Sequence, residues 1–160
     1  YFAAQDVKGM GCARGREGSI RRAARAPAPQ ELIERQNQAW DPLLAWAAKA
    51  LDAPLQTVEG VMHVEQPANS VINLTACVTV QTPFQLAALH DLVSMSGSLV
   101  IGLAAQAGAF EINDLWTRSR LDELWQIEHW GQDDEADATA GIKCQSFLHA
   151  YRFYKLCEIQ

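Results

Sequence analysis

Between residues 111 and 137 nine carboxylates are set against only two cations, Arg118 and Arg120. A charge density of that kind can do two sorts of chemistry. It can move protons, if one carboxylate is desolvated, or it can recognise a cationic partner. The informative core of the run is LDELWQIEHWGQDDEA at 121–136. Read as a helix, it places Trp116, Glu123, Ile127 and Trp130 near one face, with Leu121, Leu124 and Trp125 on a neighbouring apolar face. Glu123 then stands inside an aromatic and aliphatic stripe, where an unpaired carboxylate costs several kcal/mol or titrates to neutral. Two readings stay open. Glu123 is a solvated or ion-paired edge residue, with Arg118, Arg120 and Lys143 as candidate partners, or it awaits a cationic partner in an open groove.

Asp133, Asp134 and Glu135 follow Gly131 and fall at the start of the next helical segment. Favourable interaction with a helix N-terminus, about 0.3–1 kcal/mol each, accounts for one or two of them. Three in a row, with Glu128 and Asp137 nearby, also make a negative patch able to steer a basic protein surface. Capping and partner binding carry equal weight here.

Catalytic frames are thin by comparison. His63, His90, His129 and His149 are dispersed, and none lies in a metal-ligand pattern, so no metal or other cofactor is expected. His90-Asp91 beside Ser94, Ser96 and Ser98 invites a nucleophile triad, but no strand–turn–helix elbow surrounds these serines. The segment from Gly97 to Gly102 lacks the Lys-Ser/Thr pair of a phosphate loop. Glu123 paired with Asp133 or Glu135 gives no recognisable acid–base frame. The sequence reads as that of a binding protein rather than an enzyme.

The elements that must position these residues are helical. From Gln30 apolar residues recur at helical spacing (Leu32, Ile33, Trp40), and Asp41-Pro42 suggests an N-cap opening a second helix over 43–51. Residues 57–64 are β-branched and punctuated by glycine, which permits extended structure. VINLTACVTV at 71–80 alternates like a strand, although Val71, Leu74, Thr75 and Val78 also share a helical face. Thr82-Pro83 predicts the start of a helix over 84–95. A buried apolar helix over 97–107 follows, in which small residues at Gly97, Gly102 and Ala105 allow close packing. A long amphipathic helix from about 111–113 to 130 ends at Gly131, and a last helix runs from about 133 to 156. Trp40, Trp46, Trp116, Gly97 and Gly102 are the expected structural anchors.

Composition narrows the class further. Of the net charge of −6, residues 1–29 carry six basic and two acidic groups, leaving −10 on residues 30–160. A body this acidic repels a phosphate backbone, which argues against nucleic acid as partner. Residues 92–108 are shorter than the roughly 20 residues a membrane-spanning helix needs and are interrupted by Ser94, Ser96, Ser98 and Gln106. Cys12, Cys77, Cys144 and Cys157 show no close pair or metal spacing and read as reduced, small buried residues. The glycine- and arginine-rich residues 1–29 lack apolar periodicity and read as a disordered or non-native tail; residues 30–160 read as one domain.

Taken in order, WDPLLAW at 40–46, EGVM at 59–62, LHDLVSMSGSLVIGLA at 89–104, SRLDELWQIEHWG at 119–131 and the DDEA that follows resemble one family. They are similar to the C-terminal part of the assembly chaperones for the alpha subunit of the F-type ATP synthase, over about residues 25–158. The resemblance implies an all-α fold, a multihelical orthogonal bundle of about six helices, with 71–80 helical. It implies that the family's N-terminal β-rich domain is missing from this chain. It further implies a protein that holds the free alpha subunit, preventing its aggregation until the beta subunit arrives, in a bacterial cytoplasm or, alternatively, a mitochondrial matrix. The client-binding candidates it implies are Glu123, Trp125, Gln126 and Trp130, with Asp133, Asp134 and Glu135. Trp125, Ile127 and Trp130 would floor a groove rimmed by carboxylates. A monomer needing neither cofactor nor membrane is expected; a permanent scaffold subunit docking through the acidic helix is the alternative.

Overall fold

The computed structural model describes residues 24–25, 29–59 and 65–158. Seven helices account for most of them: α1 (Gln30–Ala50), α2 (Ala68–Thr79), α3 (Pro83–Ser96), α4 (Leu99–Ala107), α5 (Ile112–Ser119), α6 (Leu121–Trp130) and α7 (Asp134–Cys157). The fold is all-α. Two two-residue strands, β1 (Ala24–Arg25) and β2 (Val58–Glu59), pair in parallel with Ala24 opposite Val58. Residues 1–23, including Cys12, and the EGVM stretch beyond Glu59 lie outside the described residues.

The bundle is organised around α4, whose residues from Val100 to Gln106 are all buried. Its partners are α1, α3, α5 and α7, and α7 also lies along α3. Close packing is possible because Gly102 has no side chain. A Cβ there would stand 2.7 Å from Val93 Cγ2 and 3.0 Å from Leu89 Cδ1. One apolar core gathers Trp40, Leu43, Leu92, Ile101, Leu115 and Phe147, among others. A second, around Leu74, Leu89, Val93 and Leu103, holds α2 against α3 and α4. Burying a side chain such as Leu89 or Leu92 fully contributes about 1.5–3 kcal/mol. The one long polar side chain on α4 is satisfied: Gln106 and Gln81 exchange amide hydrogen bonds at 2.8 and 3.0 Å.

Three boundaries differ from the sequence expectation, each for a physical reason. First, residues 30–50 form a single helix that passes through Pro42, and Asp41 opens no second one. Asp41, Pro42 and Gln38 lie on the exposed side, so water can serve the Gln38 carbonyl that proline leaves without a helical donor. The opposite face, Leu32, Gln36, Trp40, Leu43 and Ala47, stays buried without interruption. Second, the expected long helix ending at Trp130 is broken at Arg120 (φ −109°, ψ 14°), which separates α5 from α6. Third, Gly97 does not belong to the buried helix. It closes α3 in the left-handed region (φ 69°), where glycine is free of the Cβ penalty, and Ser98 then caps α4. The bundle has seven described helices, in line with the expected all-α multihelical fold.

Residues 68–79 are helical, so the alternating pattern does not decide their structure. Leu74 is buried and Val78 half-buried, whereas Ala76 is exposed and Val80 is 80% exposed, so alternate positions do not share a face. The Thr75 hydroxyl donates to the Val71 carbonyl at 2.7 Å, and Ser70, fully buried, donates to the Pro54 carbonyl at 2.7 Å. Burial of Ser70 and Leu74 against the second core outweighs the modest β preference of the segment. The start of α3 is as expected, with a reciprocal capping box between Thr82 and Gln85.

Candidate protein-binding surface

The break at Arg120 sets the phase of α6 and with it the direction of every candidate side chain. Trp125 is the buried residue of α6, 8% exposed, whereas Trp130 is 74% exposed. The two rings meet edge to face at 5.6 Å, and Trp125 stacks on His129 at 3.9 Å. Trp125 and Trp130 therefore do not floor one groove together. Trp125 points inward, and Ile127 is half-buried. Of the candidates on α6, Glu123, Gln126 and Trp130 are exposed, as are the neighbouring Asp122, Leu124, Glu128 and His129.

Glu123 is ion-paired with Arg120, its Oε2 3.3 Å from Nε, and its side chain is 57% exposed. The Arg120 guanidinium in turn lies 5.7 Å from the centroid of the Trp116 ring. Of the partners open in the sequence the geometry selects Arg120, and the carboxylate stays solvated. A desolvated general acid at this position is not what the fold builds. Trp116 packs on Phe147 at 5.6 Å, on the core side of the break, so it no longer shares a helix with Glu123.

Polar contacts tie α6 to α1. Arg35 bonds Glu128 at 2.5 Å, and the Gln36 amide donates to Asp122 Oδ1 at 2.8 Å. The hydrogen bond that Arg35 donates to Glu128, with the charges of Glu128 and Glu31 adding to it, raises the Arg35 pKa further above its already high value. Glu128 is thereby partly neutralised and withdrawn from the negative patch. Among the described residues one buried polar side-chain atom in this region has no hydrogen-bond partner, Nε1 of Trp125. Leaving a buried donor unpaired costs about 1–3 kcal/mol.

Beyond Gly131 (φ 90°) the chain enters α7 through Asp133, whose carboxylate accepts from the backbone N–H groups of Glu135 (2.9 Å) and Ala136 (3.2 Å). Asp133 is the N-cap. Asp134 and Glu135 sit in the first turn and are exposed, as is most of the helix up to Ser146, including Ile142 at 68%. Capping therefore explains Asp133 directly, while Asp134 and Glu135 remain available to solvent. With Trp130 they border the exposed α6–α7 junction, whereas Glu123 stands in the first turn of α6, at its other end beside the break at Arg120. Leu124 and Ile142, which the sequence reading did not select as site residues, add exposed apolar surface on the same two helices. Their exposure becomes visible only once the break at Arg120 and the unpacked first half of α7 are known.

The remaining expected anchors distribute through the bundle. Trp40 is buried, and Trp46 and Trp116 are half-buried against the first core. The serines near His90 serve the backbone: Ser96 donates to the Leu92 carbonyl at 2.8 Å and Ser98 accepts from the Ile101 N–H. Cys77, Cys144 and Cys157 are unbridged and half-buried rather than fully buried. Among the described residues no cluster of metal-ligating side chains is present, and no helix is long and apolar enough to cross a membrane.

No protein-family model matches the sequence. Solved structures do. The crystal structure of Atp12 from Paracoccus denitrificans is 38% identical with a TM-score of 0.86, over 96% of this chain and 64% of that one. A variant of Paracoccus Atp12 with one aspartate replaced by lysine is 37% identical with a TM-score of 0.85, over 97% and 63% of the two chains. The Atu1473 protein of Agrobacterium tumefaciens, a candidate chaperone, is 32% identical with a TM-score of 0.82, over 94% and 57%. The chain thus spans less than two thirds of the length of the relatives it matches, and within that span sequence and fold agree together. It belongs to the Atp12-type chaperone family.

Proposed function

We propose that this chain is an ATP synthase assembly chaperone that holds the free alpha subunit of the F-type catalytic head and prevents its aggregation before it meets beta. The observation that carries the reading is the α6–α7 junction. There Trp130 is 74% exposed, Asp134 and Glu135 are exposed in the turn that follows, and Glu123 is exposed at the other end of α6. Exposed aromatic surface rimmed by carboxylates suits a client whose unassembled interface is apolar with basic groups. Charge complementarity would speed and orient the encounter, and the aromatic contact would supply residence time. Holding of this kind consumes no substrate and needs no cofactor. In this reading residues 30–160 are the working unit, residues 1–29 play no part in holding, and the chain acts as a monomer in the bacterial cytoplasm.

Within this reading Trp130 is the apolar anchor and Gln126 a hydrogen-bonding neighbour on the exposed side of α6. Glu123, Asp134 and Glu135 supply the negative rim. Trp125 and Asp133 act at one remove, the first by seating α6 and the second by fixing the start of α7. The test is light scattering of purified alpha subunit, alone and with the chain, comparing wild type with Glu123→Ala and Trp130→Ala. Suppression by wild type that is lost in both variants, with helix content unchanged, is the expected result. Suppression that survives both variants would remove the junction from the site, and none by wild type would remove the function from this chain.

A further inference from the structure

The seating of α6 differs from that of the helices around it. One residue of its ten, Trp125, is buried, and that side chain belongs to neither apolar core. Leu121, at the first position, packs at the edge of the first core and holds that end of the helix. Beyond it, among the described residues, the polar contacts Arg35–Glu128 and Gln36–Asp122 tie α6 to α1. The ion pair has side chains 39% and 52% exposed, so water screens it. Both ends carry breaks in helical geometry: Arg120 before the helix, and Gly131 after it at φ 90°. The buried Trp125 indole N–H finds no acceptor in the docked position. A buried donor left unpaired in an otherwise satisfied fold calls for a physical explanation, and stored strain released on binding is one.

We propose that α6 is a releasable helix: it undocks from α1 about Arg120 and Gly131 and turns Trp125 outward, beside Trp130, to complete the client-binding surface. Release gives the Trp125 N–H access to water or to a client carbonyl, and it adds a second indole to the aromatic surface offered. Redocking covers Trp125 again when no client is present, which limits self-association of an apolar surface. The inference rests on the chaperone reading for its purpose, whereas the release itself is a property of the isolated chain.

Hydrogen exchange on the full chain reads the release, because a ten-residue helix that has left its packing does not keep its backbone hydrogen bonds in water. Amides of residues 121–130 are expected to exchange at least ~10-fold faster than buried amides of α3 and α4, by local rather than global opening. The double variant Arg35→Ala, Asp122→Ala should accelerate exchange of α6 and leave α3 and α4 unchanged. Exchange of α6 at the rate of global unfolding in both chains would overturn the proposal. The second arm measures holding of purified alpha subunit. The loosened variant should hold more client than wild type. A chain with Arg35→Cys and Glu128→Cys joined by a short bis-maleimide, its native cysteines changed to serine, should hold less than the same chain before cross-linking. Equal holding by loosened and locked chains would overturn the link to the client. If wild type holds no client while α6 still exchanges fast, the functional reading fails and the release stands.

Discussion

Trp40 and Arg118, 78 positions apart in the chain, are joined by a hydrogen bond, and a second runs from Arg118 back to the residue before Trp40. The indole Nε1–H of Trp40 donates to the Arg118 carbonyl at 2.9 Å, and the Arg118 guanidinium donates to the Ala39 carbonyl at 2.8 Å. The pair fixes the C-terminal end of α5 against the middle of α1, just before the break at Arg120. Arg118 is held for this by Asp114, 2.8 Å from its Nη2. Trp40→Phe keeps part of the volume and removes the indole donor. A loss of about 1–3 kcal/mol is expected, combining an unpaired carbonyl with a small cavity. Urea unfolding checks it: the midpoint should fall while the slope stays that of wild type.

Gly102 predicts a steric effect of the opposite kind. Alanine there improves helix propensity by about 1 kcal/mol. Its Cβ, however, would meet Val93 Cγ2 at 2.7 Å, and a β-branched side chain in a helix has one strongly preferred rotamer and little room to yield. Gly102→Ala should therefore destabilise by about 1–3 kcal/mol, in the range of an overpacked core. Val93→Ala alone should also destabilise, by leaving a cavity. The double variant should be more stable than the sum of the two losses implies, because one change fills what the other empties. Additive losses in a double-mutant cycle would mean that the α3–α4 contact is not the constraint.

These two sites differ in how far they could be read from the sequence. The small residues of 97–107 announce close packing, because apolar segments rich in glycine and alanine bury easily. The Thr82-Pro83 start of α3 is equally legible, since a cap and an N1 proline are local chemistry. The Trp40–Arg118 link, between residues 78 positions apart, is not legible, and neither is the continuity of α1 through Pro42. That continuity is decided by which side of the helix the proline faces, a tertiary fact. The strand-like alternation of 71–80 misleads for a related reason: burial of Leu74 and Ser70 outweighs a weak preference.

The candidate site divides along the same line. Its negative charge is plain in the sequence, and so is its abundance of tryptophan. Which tryptophan faces outward is not, because the break at Arg120 resets the helical phase and separates Trp116 from Glu123. The unpacked first half of α7, which leaves Asp134, Glu135 and Ile142 exposed, is likewise a consequence of how long α7 extends beyond its contact with α3. Residue type records the chemistry available; the helix ends determine which of it reaches solvent.

The capping box at Thr82 offers a local test. Its hydroxyl accepts from the Gln85 N–H at 3.3 Å, while the Gln85 side chain accepts from the Thr82 N–H at 3.0 Å. Thr82→Ala should cost about 1 kcal/mol. Thr82→Ser, which retains the acceptor, should cost a few tenths at most. The ordering of the two thermal midpoints decides between capping and a packing role for the threonine methyl.

Alkaline pH supplies the last prediction, from the C-terminal end of α7. Burial, with the nearby Glu158 carboxylate adding to it, pushes the Tyr154 phenol above its ordinary pKa. The neighbouring Lys155 is also raised, chiefly through its hydrogen bond to Glu158, 2.8 Å from Nζ. Lys155 Nζ further donates to the Gln106 carbonyl at 3.2 Å, so this end of α7 is tied to the end of α4. The sign is the same for both groups. A pKa higher in the folded than in the unfolded chain means the folded state holds its proton more tightly. The resulting stability is complete below the unfolded value and is lost as pH rises through the folded one. With unfolded values of about 10 for tyrosine and about 10.4 for lysine, the loss should begin near pH 10 and continue above it. Melting temperature measured from about pH 8 to about pH 11 should therefore decline at the alkaline end. Tyr154→Phe, which has no proton to lose, should decline less steeply, and adding Lys155→Met should flatten the profile further. A wild-type slope unchanged in both variants would assign the alkaline loss to groups elsewhere in the chain.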